Sequence, residues 1–198
     1  MAKLTKEEIS QTALALFLQQ GYRNVTIQDI CQACEITKPT FYKYIGSKEE
    51  LILNLYDVTI KELTTDTYNF LQADTHYEQL LIVFSTLMKD TKKFGSDLFS
   101  QMLIANLNEN YHSFDMREKL TKLCVMIIKK AQEKGEIKNM NSPSVLYRTL
   151  AYAFTGYETM WCIQNSQFNW EEELYESIEA VLDVSDELRE VYKKYLTE

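Results

Sequence analysis

Apolar residues along this chain recur every three or four positions and almost nowhere alternate, a pattern that predicts helices rather than strands. The first run, Ile9, Ala13, Leu16 and Phe17, follows Thr5-Lys6-Glu7-Glu8. There a threonine hydroxyl can cover an orphan amide while a glutamate reaches back to the cap. Gly21 supplies a left-handed stop. Thr26-Ile27-Gln28-Asp29 opens a second, shorter helix, and Thr37-Lys38-Pro39-Thr40 a third, with Pro39 in the first turn where no hydrogen bond is forfeited. Ser47-Lys48-Glu49-Glu50 opens a long segment running to residue 71. Later starts at Thr75, residue 96, Ser113, Ser142-Pro143, Asn169 and Ser185 imply further helices, the last carrying Leu188, Val191, Tyr192 and Tyr195. The expectation is an all-α chain of about nine or ten helices.

Composition agrees. Of 198 residues, 45% are hydrophobic and 25% charged, with five Gly and two Pro, which excludes disordered, collagen-like and many-stranded chains. No apolar stretch is long enough to span a bilayer, so no membrane partner is expected. The opening MAKLTKEEIS lacks the apolar core of a secretory signal, and a cytoplasmic location follows as the expectation. Cys31 and Cys34 form a CxxC, but no second pair exists and His76 and His112 are distant. Small buried thiols therefore explain them better than a metal or redox centre. None of GxGxxG, GxxxxGK[ST], HExxH or GxSxG occurs, so neither an enzyme nor a cofactor is expected.

The net charge of −8 conceals a division. Residues 1–48 carry six Lys/Arg against four Asp/Glu, whereas the other 150 carry 15 against 25. A mildly basic head on an acidic body suits an electrostatic footprint confined to one end. Three short helices in 47 residues, the second and third joined by Cys34-Glu35-Ile36, also describe a helix-turn-helix. Ile27, Ile30, Cys31, Cys34, Ile36 and Phe41 would face inward. Thr37, Lys38, Pro39, Thr40 and Lys43 would lie on the start and outer face of the third helix, within reach of base edges. Tyr42, Tyr44 and Lys48, with the amides at the starts of the second and fourth helices, would hold phosphates; Thr26 and Gln28 are further candidate DNA contacts. A lysine at a helix start opposes the macrodipole, and a phosphate would relieve that conflict.

Residues 9–51 resemble the N-terminal module of TetR-type transcriptional regulators. The series is Ile9, Ala13, Leu16-Phe17, Gly21-Tyr22, Val25-Thr26-Ile27, Ile30, Ala33, Ile36-Thr37-Lys38-Pro39-Thr40-Phe41-Tyr42-Lys43-Tyr44-Ile45, Lys48-Glu49 and Leu51. Cys31, Glu35 and Ile45 depart from the Ala, Gly and Phe usual in that family. The resemblance implies a DNA-binding domain over 1–47 and a helical ligand-binding and dimerisation domain over 48–198. It also implies a repressor that binds a palindromic operator as a homodimer and is released by a small, mainly apolar or aromatic effector.

For that effector, the aromatic and methionine inventory offers Tyr56, Thr59, Leu63, Phe84, Met88, Phe99, Met102, Met126, Tyr147, Phe154, Tyr157 and Trp161. Glu62 and Glu158 read as solvated positions, with a preference for a cationic ligand as the alternative. Ala151, Tyr152, Ala153 and Gly156, with Leu174, Ile178 and Val181, offer a two-helix face that could pair with its two-fold copy. The 48–71 helix, through Leu55, Tyr56, Thr59 and Leu63, would link Lys48 at the DNA to the effector. Two alternatives stay open: a DNA-binding protein controlled by a protein partner, and an all-α carrier of lipophilic ligands.

Overall fold

The computed structural model describes residues 5–53 and 73–196. In chain order these form α1 (Lys6–Gln20), α2 (Ile27–Ala33), α3 (Lys38–Tyr44), the opening of α4 (48–53), α5 (His76–Asn108), α6 (Glu118–Glu133), α7 (Pro143–Ile163) and α8 (Glu171–Leu182). Single 3-10 turns cover Tyr22–Asn24, Asp186–Leu188 and Val191–Tyr195. Among the described residues there is no strand, only an isolated bridge between Ile137 and Val184. The chain is all-α.

Several helix starts follow the cap chemistry closely. Thr5 accepts from the Glu8 amide at 3.2 Å while the Glu8 carboxylate takes the Thr5 amide at 2.7 Å. Thr26 and Asp29 repeat this reciprocal pair at 3.2 and 2.7 Å. At α4 the Ser47 hydroxyl accepts from the Glu50 amide, and Glu50 reaches back to the amide of Gly46. Thr75 accepts from the Glu78 amide at the head of α5. Each pair satisfies donors that the helix itself cannot.

The two helices expected at 75–92 and 96–107 are present, running together as α5 and separated at Gly95, whose φ of 76° suits a residue without a Cβ. Two other expectations need correction. Ser113 caps nothing: it is buried, bonded to Asn106, and α6 begins five residues later at Glu118. After Ser185 the chain makes two 3-10 turns instead of a helix, separated by Glu190 at a φ of 63°. Tyr192 nonetheless buries its ring, stacked on Tyr175 with centroids 5.4 Å apart.

The described residues form two compact units, one from 1–58 with 93–113 and one from 59–92 with 114–198. The first therefore includes a stretch that the sequence places in the body. Its core holds Ile9, Ala13, Phe17, Ile30, Cys31, Phe41, Ile45 and Leu51, with Leu98, Phe99 and Met102. In the second unit α7 packs on both α6 and α8. Its core is aromatic: Phe84, Phe154, Trp161 and Trp170 are all buried, and their rings form a chain with centroids 5.5 to 6.5 Å apart.

Glu158 of α7 lies in this second core, fully buried rather than solvated as its surroundings in sequence suggest. The Thr91 hydroxyl donates to its Oε1 at 2.5 Å. Burial pushes the carboxyl up to about 8, with Thr91 pulling the other way. A carboxyl that keeps its proton to higher pH in the folded than in the unfolded chain stabilises most below its unfolded range. That contribution is lost as pH rises through the folded value. Unfolding followed by circular dichroism should therefore show stability falling between about pH 5 and pH 8, by at most about 1.4 kcal/mol per pH unit from this group. Glu158→Gln should flatten that slope.

Candidate nucleic-acid interface

The helix-turn-helix is built from two seven-residue helices, too short to persist alone in water. Burial holds them. Phe41 is 0% exposed and Ile45 1%, and Ile30 and Cys31 turn inward from α2. Cys34 is only half-buried, as are Ile27 and Ile36. Burial raises both thiols, and among the described residues no cluster of His, Cys, Asp or Glu could hold a metal.

The turn between α2 and α3 explains one departure in the sequence. The Ile36 amide donates to the Cys31 carbonyl at 2.9 Å and the Glu35 amide to Gln32 at 3.2 Å. These are the two bonds of a Schellman stop, whose hinge residue must be left-handed. That residue is Glu35, at a φ of 54°.

With Phe41 sealed inside, the opposite side of α3 is exposed: Thr37, Lys38 and Pro39 at its start, Tyr42 and Lys43 farther on. Thr37 caps the helix and shares a 2.9 Å hydroxyl contact with the half-buried Thr40. Tyr42 keeps its ring edge-on to Phe41, 5.5 Å between centroids, and still stands 52% exposed. Tyr44 is half-buried. Thr26 and Gln28 are exposed at the head of α2, but the Thr26 hydroxyl is occupied by the Asp29 carboxylate.

Lys48 has an internal role that the sequence does not announce. Its ammonium donates to the Tyr22 carbonyl and lies over the Tyr22 ring at 3.9 Å and the Phe17 ring at 5.4 Å. Partial burial lowers its pKa, with the Glu49 and Asp29 carboxylates acting in the opposite sense. Tyr22, noted in the sequence only as part of the family resemblance, is thus the pivot joining α1 to α4, and its hydroxyl also donates to Glu49 at 3.3 Å. An ammonium has three donors and the Tyr22 carbonyl takes one.

The described residues expected around an effector divide between the two units. Tyr56, Thr59 and Leu63, with Leu55 and Glu62, lie outside the described residues. Phe99 and Met102 are buried in the first unit; Phe84, Met88, Tyr147, Phe154 and Trp161 are buried in the second. Met126 is 55% exposed, so it lines no core. Tyr157 ties α7 to α8, its hydroxyl meeting Ser177 at 2.8 Å and the Glu173 carbonyl at 3.2 Å.

Of the expected dimer face, Tyr152 and Gly156 are exposed, and Ala151, Ala153 and Val181 half-buried. Leu174 and Ile178 are fully buried within the chain and belong to its own core. The exposed apolar line on α7 is instead Val145, Tyr152, Met160 and Ile163, passing Gly156 at helical spacing.

A family model described as bacterial regulatory proteins, tetR family, matches residues 9–55. The uncharacterized HTH-type transcriptional regulator YuxN of Bacillus subtilis (strain 168) is 34% identical over 86 residues, 41% of this chain and 30% of that protein. The HTH-type transcriptional regulator TcmR of Streptomyces glaucescens is 41% identical over 49 residues, 25% of this chain and 22% of TcmR. The matches thus span less than a third of these relatives. The fold extends further: FadR of Thermus thermophilus, a TetR family transcriptional repressor crystallised with lauroyl-CoA, superposes with a TM-score of 0.70 at 24% identity, covering 89% of this chain and 93% of FadR.

The left-handed Glu35 supplies a direct test. Glu35→Gly should raise stability by up to about 1 kcal/mol in urea unfolding, because the side-chain clash of the left-handed state disappears. A loss of stability would mean that the turn is not under this constraint.

Proposed function

We propose, from the match of residues 9–55 to the model of bacterial regulatory proteins, tetR family, that this chain is a transcriptional regulator and a repressor. It binds a palindromic operator as a homodimer and releases it when a small effector binds in the second unit. The observation that carries the reading is α3: Phe41 wholly buried, with Thr37, Lys38, Pro39 and Lys43 exposed on the other side. Such a helix is anchored from behind and presents donors and a methylene-rich ring to the major groove. The excess positive charge of residues 1–48 supports the same end of the chain.

Lys38 and Lys43 are assigned to base edges and the adjoining phosphates, Tyr42 and Tyr44 to the backbone. Lys48 has two roles in this reading, locking α4 against Tyr22 and offering its remaining donors to a phosphate. The effector reading is supported by the buried aromatic core of the second unit, and by the acyl-CoA ligand that FadR, of like fold, carries in its crystal structure.

Selection of bound duplexes from a random pool, followed by titration of the recovered site, tests this. A palindrome with half-sites about one helical turn apart is expected. Lys38→Ala should relax preference at one base pair at a cost of about 1–3 kcal/mol. Lys48→Ala should weaken all duplexes alike and reduce the salt slope by about one unit per lost phosphate contact, about two per dimer. Failure to enrich any duplex would overturn the reading.

Assembly has its own test. A helix-turn-helix reads one half-site, so two copies are required, and the apolar line along α7 is the face assigned to pairing. Gly156 is exposed, and a Cβ built there meets nothing within 4 Å, so Gly156→Arg does not disturb the single chain. Sedimentation should give a dimer for the wild type and a folded monomer for the variant. A variant that remains dimeric would place the interface elsewhere.

A further inference from the structure

Glu158 is the most expensive group in the second unit. It is 0% exposed, and only its Oε1 is partnered, by Thr91. Its Oε2 has no hydrogen-bond partner among the described residues. Neither protonation state cures this, since a carboxylate leaves an acceptor bare and a carboxylic acid leaves a donor bare. Burial of such a group without compensation is rare enough to require a reason.

Its neighbours narrow the reason. Phe154, Glu158 and Trp161 stand at i, i+4 and i+7 on α7, one face of a helix. Phe84 and Thr91 stand at i and i+7 on α5 and meet that face, Phe84 at Phe154 with centroids 5.8 Å apart and Thr91 at Glu158. Trp170 closes the group against Phe154 and Trp161, and its indole Nε1–H is likewise buried without a partner among the described residues. Burial and the Thr91 hydroxyl account for the displacement of the Glu158 titration, with no contribution from a neighbouring cation.

We infer that Glu158 and the rings of Phe84, Phe154, Trp161 and Trp170 form a binding site for an organic ammonium ion with an apolar body. The inference rests on the effector reading above and gives that effector a chemical class. An ammonium group donates to Oε2 and faces ring quadrupoles that are negative over their planes. The carboxyl proton leaves to solvent as the cation enters, so the buried charge is balanced at every stage. An uncharged ligand gains from the rings alone, and an anion meets ring faces that are themselves negative, with no cation to balance it.

The chain contains two tryptophans, Trp161 and Trp170, both in this group, so fluorescence excited selectively at tryptophan reports on the site. The probes are 4-phenylbutylammonium, its uncharged counterpart pentylbenzene, and the anionic 5-phenylpentanoate. For the wild type the ammonium should bind at least about tenfold more tightly than either of the others, as expected of a desolvated cation over aromatic faces with a carboxylate partner. Glu158→Gln should lose about tenfold or more in ammonium affinity and keep pentylbenzene within about twofold. The wild-type comparison decides the matter even if the variant does not fold. Equal affinities for the three probes, no tryptophan response to the ammonium, or a folded Glu158→Gln that keeps full ammonium affinity would each overturn the inference. Operator binding, measured on the same preparations, separates the two readings. A protein that retains its duplex but shows no preference for the ammonium refutes this site alone, whereas one that binds no duplex refutes the regulator.

Discussion

Everything exposed on α3 depends on one buried ring. A seven-residue helix has too few internal hydrogen bonds to offset the entropy of ordering it, so its existence is a tertiary fact. Phe41 supplies the apolar anchor, with Ile45 at the exit and Ile30 and Cys31 facing from α2. Because the ring is sealed on one side, the residues a few positions before and after it point outward. The polar face is therefore positioned by a contact in which it takes no part, and its exposed side chains can vary without loss of the helix.

The sequence was most legible where the physics is local. Capping boxes at Thr5 and Thr26 need residues only three apart, and both are present with the bonds their spacing implies. The same rule failed at Ser113 and Ser185, since a capping residue type is not sufficient, and α6 and α8 begin after Arg117 and Trp170 without one. Ser113 was claimed by Asn106, and the chain after Ser185 was set by the burial of Tyr192 against Tyr175 and the left-handed Glu190. Helical spacing cannot see a partner on another element. That is also why Leu174 and Ile178 looked available for pairing when their own chain buries them.

Lys48 shows the limit most clearly. A cation at a helix start is unfavourable, and sequence alone offers an external anion as the remedy. The molecule supplies an internal one, a backbone carbonyl and two ring faces from residues 26 and 31 positions away. A carbonyl has no letter in a sequence, so no motif could reveal it. Glu35 is the opposite case: it looked like a departure to be excused, and its positive φ shows that the turn takes the left-handed geometry with a glutamate in place, at a cost glycine would avoid.

The buried carboxyl of Glu158 lowers stability where an apolar core would raise it. A core of Phe84, Phe154, Trp161 and Trp170 would be more stable with an apolar residue in that place. Retaining an acid there makes the empty state the less satisfied one, so a ligand that completes the group stabilises the arrangement to which it binds. The segment that completes it from the other side is α5, which gives Thr91 to the second unit and, past the left-handed Gly95, Leu98, Phe99 and Met102 to the first. One stretch of chain is thus shared by the core that holds the acid and the core that holds the helix-turn-helix.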